Sequence, residues 1–199
     1  MSQYPEPINN LIEKLSRWPG LGPKAAERVV FYLMKQNPDS IKLLLNNIAE
    51  LKNLVKICNY CFNVSTQNPC QICEDKTRDN KLLCIVSEPQ DILVIEKTGD
   101  YNGSYHVLGG VINPAHNITP DQLKIKELVN RIKNNGYQEI IIATNPDLEG
   151  ESTAMYITQQ LKPLKIKITK LAKGLPIGST IEYADEITIA SALKGRQEV

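Results

Sequence analysis

Apolar residues recur through the first quarter of the chain at intervals of three and four. Ile8, Leu11, Ile12 and Leu15 share one face of a helix expected over 7–18. The run WPGLGPK ends it. Pro19, Gly20, Gly22 and Pro23 cannot continue a helix, and Pro23 suits the first turn of a new one. A second helix near 23–36 gathers Ala26, Val29, Val30, Leu33 and Met34 on one side, and Asn37-Pro38 stops it. Asp39 or Ser40 can cap a third, in which Ile41, Leu44, Leu45, Ile48, Leu51 and Val55 return at helical spacing.

Beyond residue 80 the period changes. KLLCIVS (81–87) and EIIIAT (139–144) hold short continuous apolar runs of the kind buried on both faces of a sheet. Tyr105–Leu108 and Lys165–Leu171 predict two further strands. Between them lie a short helix over 89–97, an amphipathic helix over 121–134 carrying Ile125, Leu128, Val129 and Ile132, and a helix over Glu151–Leu161. A last short helix is expected over 184–194. Apolar strands alternating with helices predict a parallel sheet covered on both faces. The expected fold class is therefore α/β, preceded by a helical module.

Four cysteines separate the two patterns. Cys58 and Cys61, then Cys70 and Cys73, stand in the run CNYCFNVSTQNPCQIC. A two-residue gap lets both sulfurs of a pair reach one ion, and the residues 62–69 can form a small hairpin that joins the pairs. Four thiolates leave no open position for water, so the spacing predicts one structural Zn²⁺ per chain rather than a catalytic metal. Cys84, alone in LLCIV, reads as a small buried hydrophobe.

The chain's 199 residues allow one domain, or two small ones with a module between them. A formal net charge of +1 argues against a basic coat that would hold nucleic acid by charge alone. It leaves room for a local patch: residues 1–57 hold eight Lys or Arg against five Asp or Glu, an excess of three. No apolar stretch is long enough to span a bilayer, and MSQYPEPINN lacks the basic start and apolar core of a signal peptide, so a cytoplasmic protein with no membrane partner is expected. No Walker A loop is present, and the acidic residues of TIEYADEITIA (180–190) read as a helix start. His106 falls in an expected strand as a packing residue, and no Ser-His-Asp arrangement can be drawn with it or His116.

Two further constellations carry chemistry. Around Gly20 and Gly22 the turn leaves backbone amides uncovered, and the following helix N-terminus adds more; such amides can hold a phosphate oxygen without reading a base. Lys24 and Arg28, four apart on that helix, could clamp the same backbone. This segment resembles the helix-hairpin-helix motif of DNA-repair proteins. In EIIIATNPDLEGEST (139–153), acidic residues follow a strand at the end where open α/β sheets place their sites, and Glu88 follows the other strong strand. This resembles the Toprim fold of topoisomerases, DnaG-type primases and some nucleases. There a glutamate after the first strand and an Asp-x-Asp cluster after a later one hold Mg²⁺. The matching positions here are Glu88, Asn145, Asp147 and Glu149. Asn145 offers an oxygen without a charge, and Mg²⁺ is held mainly by carboxylates, so the Mg²⁺ site is expected to be weakened or absent.

Helical hairpin, four-cysteine module and Toprim-like segment, in that order, are similar to the bacterial RecR family of recombination mediators. The resemblance rests on WPGLGPKAAERVVFYL, YHVLGGVINP and GLPIGSTIEYADEITIASALKGRQ. It implies modules at 1–57 (helix-hairpin-helix), 58–73 (zinc finger), 81–176 (Toprim) and 177–199 (C-terminal segment). It also implies a nucleoid-associated DNA-repair factor without enzymatic activity. Such a factor acts with RecO and RecF to load RecA on gapped, SSB-coated single strands, and assembles into dimers and tetrameric rings. Lys24, Arg28, Gly20 and Gly22 would then meet DNA, and Glu88, Asn145, Asp147 and Glu149 would form an edge for partners or a weak Mg²⁺. Two other readings stand beside it: a minimal Mg²⁺-dependent Toprim nuclease or primase-like enzyme, and a zinc-ribbon scaffold that binds only proteins.

Overall fold

A computed structural model of the chain describes residues 4–198. It divides into two units, one up to residue 55 and one from residue 56. In the first, α1 (Glu6–Ser16) and α2 (Pro23–Met34) form a hairpin, followed by α3 (Pro38–Leu54). Leu15, Ala26 and Val30 are buried between α1 and α2, with Ile8, Ile12, Leu21 and Val29 packed around them. Six of these seven are positions that the helical spacing selects; Leu21 lies in the turn, and Leu11 and Met34, which the spacing also selects, are exposed. At the start of α3, Pro38 takes the first turn and the Asn37 side chain accepts the Ser40 amide at 2.7 Å. The cap thus lies before the expected Asp39 or Ser40, because Pro38 supplies a preset first turn and its missing N–H costs nothing there. No residue of α3 is buried, and Leu43, Leu45 and Leu51 are each more than half exposed.

The second unit begins with a knuckle. Strands β1 (Lys56–Ile57) and β2 (Val64–Ser65) pair antiparallel, and the single helical turn α4 (Gln71–Glu74) follows. Then come β3 (Asp79–Val86), α5 (Pro89–Glu96), β4 (Gly103–Val107), α6 (Ile125–Asn135), β5 (Glu139–Ala143), α7 (Leu148–Leu161), β6 (Lys167–Lys170) and α8 (Glu186–Lys194). The sheet has the order β4-β3-β5-β6 and is parallel throughout.

Alternation along β3 decides what covers each face. Leu83 and Ile85 join Ile140 and Ile142 beneath α6 and α7, where Leu128, Ile132, Ala154, Ile157 and Leu161 complete one core. Cys84 and Val86 point the other way, toward Tyr105, Val107 and Ile92 of α5, with Phe62 and Ile72 of the knuckle packed alongside. Both faces are dry along Leu83–Val86 of β3, beside the largely buried β5, which is why LLCIV and IIIA read as unbroken apolar runs.

Two element starts differ from the spacing by three residues or more. The helix expected over 121–134 is a 3-10 turn at Pro120–Gln122 followed by α6 from Ile125. The Lys124 amide between them bonds to the Leu108 carbonyl at 2.9 Å, drawing the chain out of helical geometry. Helix α7 begins at Leu148 rather than 151, because Asp147 caps it.

Candidate metal centre and nucleic-acid interface

Strand order places a switch point on the sheet. From β3 the chain crosses through α5 to β4 on one side, while β5 lies on the other. The crevice where open α/β sheets place ligands lies at the C-terminal ends of β3 and β5. Glu88 follows β3, and Asn145, Asp147 and Glu149 follow β5, so both segments leave the same edge. Both segments start the helices that follow them. Glu88 is the N-cap residue of α5, where Asp91 Oδ2 accepts its amide at 2.8 Å. Asp147 Oδ1 accepts the Gly150 amide at 2.7 Å. The loop folds so tightly that a Cβ on Gly150 would lie 2.1 Å from the Asn145 carbonyl oxygen. Nearby, Glu151 pairs with Lys170 and Lys173 at 3.1 and 2.7 Å, and hydrogen bonds from Lys173 and then Lys170 hold its carboxyl below the usual range.

Among the described residues, one group of three or more His, Cys, Asp or Glu ligand atoms comes together within 4.8 Å: Cys58, Cys61, Cys70 and Cys73. The Sγ atoms of Cys61 and Cys70 lie 3.5 Å apart, and those of Cys58 and Cys73 3.8 Å apart. A Zn–S bond of about 2.3 Å in tetrahedral geometry requires an S···S edge of about 3.8 Å. The four sulfurs thus fit a closed zinc site.

Close packing couples the thiols of Cys61, Cys70 and Cys73 to one another. Hydrogen bonding to Cys70 pushes the Cys61 thiol up to about 12, and Cys61 raises Cys73, while both neighbours stabilise the Cys70 thiolate. A dication is what lets all four ionise together. The knuckle is shaped by backbone bonds from Cys58 N to Asn63 O at 2.8 Å and from Phe62 N to Cys58 O at 2.9 Å. The Cys70 amide also donates to Cys58 Sγ at 3.4 Å.

This clasp is tied to the sheet edge. The Val107 amide of β4 donates to the Cys61 carbonyl at 2.8 Å. Arg131 of α6 donates through Nη1 to the carbonyls of Tyr60 and Tyr105 at 3.1 and 2.6 Å. Phe62 meets the His106 ring edge-on, with centroids 5.2 Å apart. His106 itself is fully buried, and burial lowers its pKa to about 4. It is neutral, and its Nε2–H donates to the Lys124 carbonyl at 2.8 Å, a packing role. Cys84 is likewise buried, which pushes its thiol up to about 12 and leaves it inert.

In the hairpin, Gly20 takes φ +76°, a conformation that favours glycine, and turns the chain from α1 toward α2. Gly22 is the extended N-cap residue of α2, and its carbonyl accepts the amides of Ala25 and Ala26. Among the described residues, the amides of Gly20, Gly22 and Lys24 meet no acceptor in the chain. Lys24 and Arg28 follow on α2, with Tyr32 and Lys35 continuing the same exposed side. Tyr32 and Lys35 form a stripe with them that apolar periodicity does not register. Spacing of four and seven from Arg28 was the available signal.

A glycine hairpin with open amides, a four-cysteine clasp and a parallel sheet with a Toprim-type edge define a modular class of helix-hairpin-helix, zinc-finger and Toprim proteins. The family models divide the chain accordingly: RecR helix-hairpin-helix at 8–52, the RecR four-cysteine zinc finger domain at 55–75, Toprim domain at 81–172, and RecR C-terminal at 174–197. Proteins named recombination protein RecR are similar over essentially the whole length. That of Paenarthrobacter aurescens is 47% identical over 194 residues, covering 98% of each chain. That of Natranaerobius thermophilus is 45% identical over 199 residues, covering all of both. That of Herpetosiphon aurantiacus is 45% identical over 98% of this chain and 96% of its own. The chain belongs to the RecR family.

Proposed function

We propose that the chain is a DNA repair and recombination mediator that binds DNA without altering it covalently. The observation that carries this reading is the contrast between its two candidate edges. The hairpin offers three open amides beside Lys24 and Arg28, neither of which has a carboxylate within ion-pair distance among the described residues. At the Toprim edge, the Asp147 carboxylate caps α7, Glu88 stands at the N-cap of α5, and Asn145 stands where a metal site would want a charge. The first arrangement suits a phosphate backbone; the second suits a protein surface better than Mg²⁺ chemistry.

In this reading Gly20, Gly22, Lys24 and Arg28 meet DNA, and Cys58, Cys61, Cys70 and Cys73 hold one zinc that shapes the knuckle and takes no chemical step. Glu88, Asn145, Asp147 and Glu149 present an edge to RecO and RecF, through which RecA is loaded on gapped single strands near the nucleoid. Copies of the chain assemble into a dimer or ring, so a few cations each can line a shared channel despite a net charge near zero. Among the described residues, no helix is long and apolar enough to cross a membrane.

Anisotropy titration of fluorescent DNA tests the interface. Lys24→Ala with Arg28→Ala should weaken binding similarly across sequences and flatten the log–log salt slope on duplex by roughly two. Unchanged affinity at low salt would remove DNA from the hairpin.

A further inference from the structure

We propose that the exposed side of α2 is a single-strand groove in which Tyr32 stacks a base between cations that hold phosphates; this rests on the DNA-binding reading of the hairpin. Lys24, Arg28, Tyr32 and Lys35 border one open hollow of about 710 Å³, together with Glu27 and Phe31. From residue 24 to 35 the helix rises about 16 Å, room for more than one nucleotide of an extended strand.

Three features give the hollow its ligand class. The first is charge. Among the described residues, Lys24, Arg28 and Lys35 have no carboxylate partner within ion-pair distance. The single acid of the hollow, Glu27, is engaged by the Tyr4 hydroxyl, which donates to its Oε1 at 2.5 Å. Phe31 is engaged too: it meets the Tyr4 ring edge-on, with centroids 5.2 Å apart. The second feature is Tyr32, a residue 62% exposed, whose ring is the aromatic of the hollow not engaged by Tyr4. It lies one helical turn from Arg28 and three residues from Lys35, so cations flank it along the helix. The third is continuity: the stripe begins at Lys24, beside the open amides of the glycine turn. Cations interleaved with an exposed aromatic are the pattern of single-strand sites, where base stacking adds affinity that a duplex, whose bases already stack on one another, cannot take up. The hairpin amides and cations alone hold phosphates of either form and give no preference for a single strand.

The test compares oligothymidine with a mixed-sequence duplex of equal length, by anisotropy at fixed salt, on the full zinc-loaded chain. Tyr32→Ala should weaken single-strand binding roughly ten-fold and duplex binding less than about two-fold, while Tyr32→Phe keeps both. Lys35→Ala should weaken both forms and lower the salt slope by about one or slightly less. An equal effect of Tyr32→Ala on both forms, or none on either, overturns the groove even where the Lys24 and Arg28 variants lose DNA. If those variants bind normally, the underlying reading fails instead. A change of particle mass by light scattering in Tyr32→Ala, without a change in strand preference, would assign the ring to a contact between copies and also overturn the proposal.

Discussion

Asp147 distinguishes a helix cap from a metal ligand, because the two roles respond differently to one substitution. Its Oδ1 accepts the Gly150 amide at 2.7 Å, and its backbone carbonyl accepts the Glu151 amide at 2.9 Å, so it closes the first turn of α7. Truncation to alanine leaves the Gly150 amide without that partner in a turn where Gly150 is buried. Loss of an N-cap costs about 1 kcal/mol, and the lost charge at the helix N-terminus adds about 0.5 kcal/mol at an exposed position. For a chain of this size, that corresponds to a fall in midpoint of about 3–6 °C. Asp147→Asn keeps the accepting oxygen and gives up only the charge, so it should fall by no more than about 2 °C. Neither shift should depend on millimolar Mg²⁺ at constant ionic strength. Thermal unfolding should be followed by far-ultraviolet circular dichroism together with zinc release. Trp18, the single tryptophan, lies in the first unit and α7 in the second, so these probes are preferred to its fluorescence. The capping account is refuted if Asp147→Asn is as damaging as Asp147→Ala. It is also refuted if Mg²⁺ raises the midpoint of the wild-type chain but of neither variant.

Further expectations follow from other contacts. Cys61→Ser should abolish stoichiometric zinc and loosen the knuckle, since binding energy in such a site is folding energy; full zinc by metal analysis in the variant would contradict this. Gly150→Ala should destabilise the second unit by about 2 kcal/mol, because its Cβ would sit 2.1 Å from the Asn145 carbonyl oxygen; a wild-type midpoint would count against the loop geometry. Arg78 forms an ion pair with Glu96 and holds that carboxyl below its usual value. A depressed carboxyl pKa contributes stability that is full above the unfolded value, about 4.5, and is lost as pH falls through the folded one. Glu96→Gln should therefore lower the urea midpoint at neutral pH and flatten the acid limb; parallel profiles for variant and wild type would exclude this pair as its source. Incubation of plasmid with the protein and Mg²⁺ should give no nicking, and turnover abolished by Asp147→Ala would favour an enzyme.

What could be read along the chain was what neighbours in sequence determine. The glycine turn and the two Cys-x-x-Cys pairs were legible because each depends on backbone geometry within a few residues. Apolar spacing likewise located α1, α2 and the central strands, since burial on one or both faces writes a period into the residues. Tertiary structure decided the rest. Only strand order brings Glu88 and the 145–149 loop to one edge, because β3 and β5 are neighbours despite the intervening α5, β4 and α6. At that edge, hydrogen bonding turns the Asp147 carboxylate into a cap, a role that residue type alone does not separate from metal binding. Phe62, a mere spacer within the cysteine run, packs against the core because the knuckle lies on the sheet face that carries Cys84, Val86 and Tyr105. The stripe of α3 shows the complement: helical spacing predicts an apolar face, but burial requires a surface to meet it, and no residue of that helix is buried.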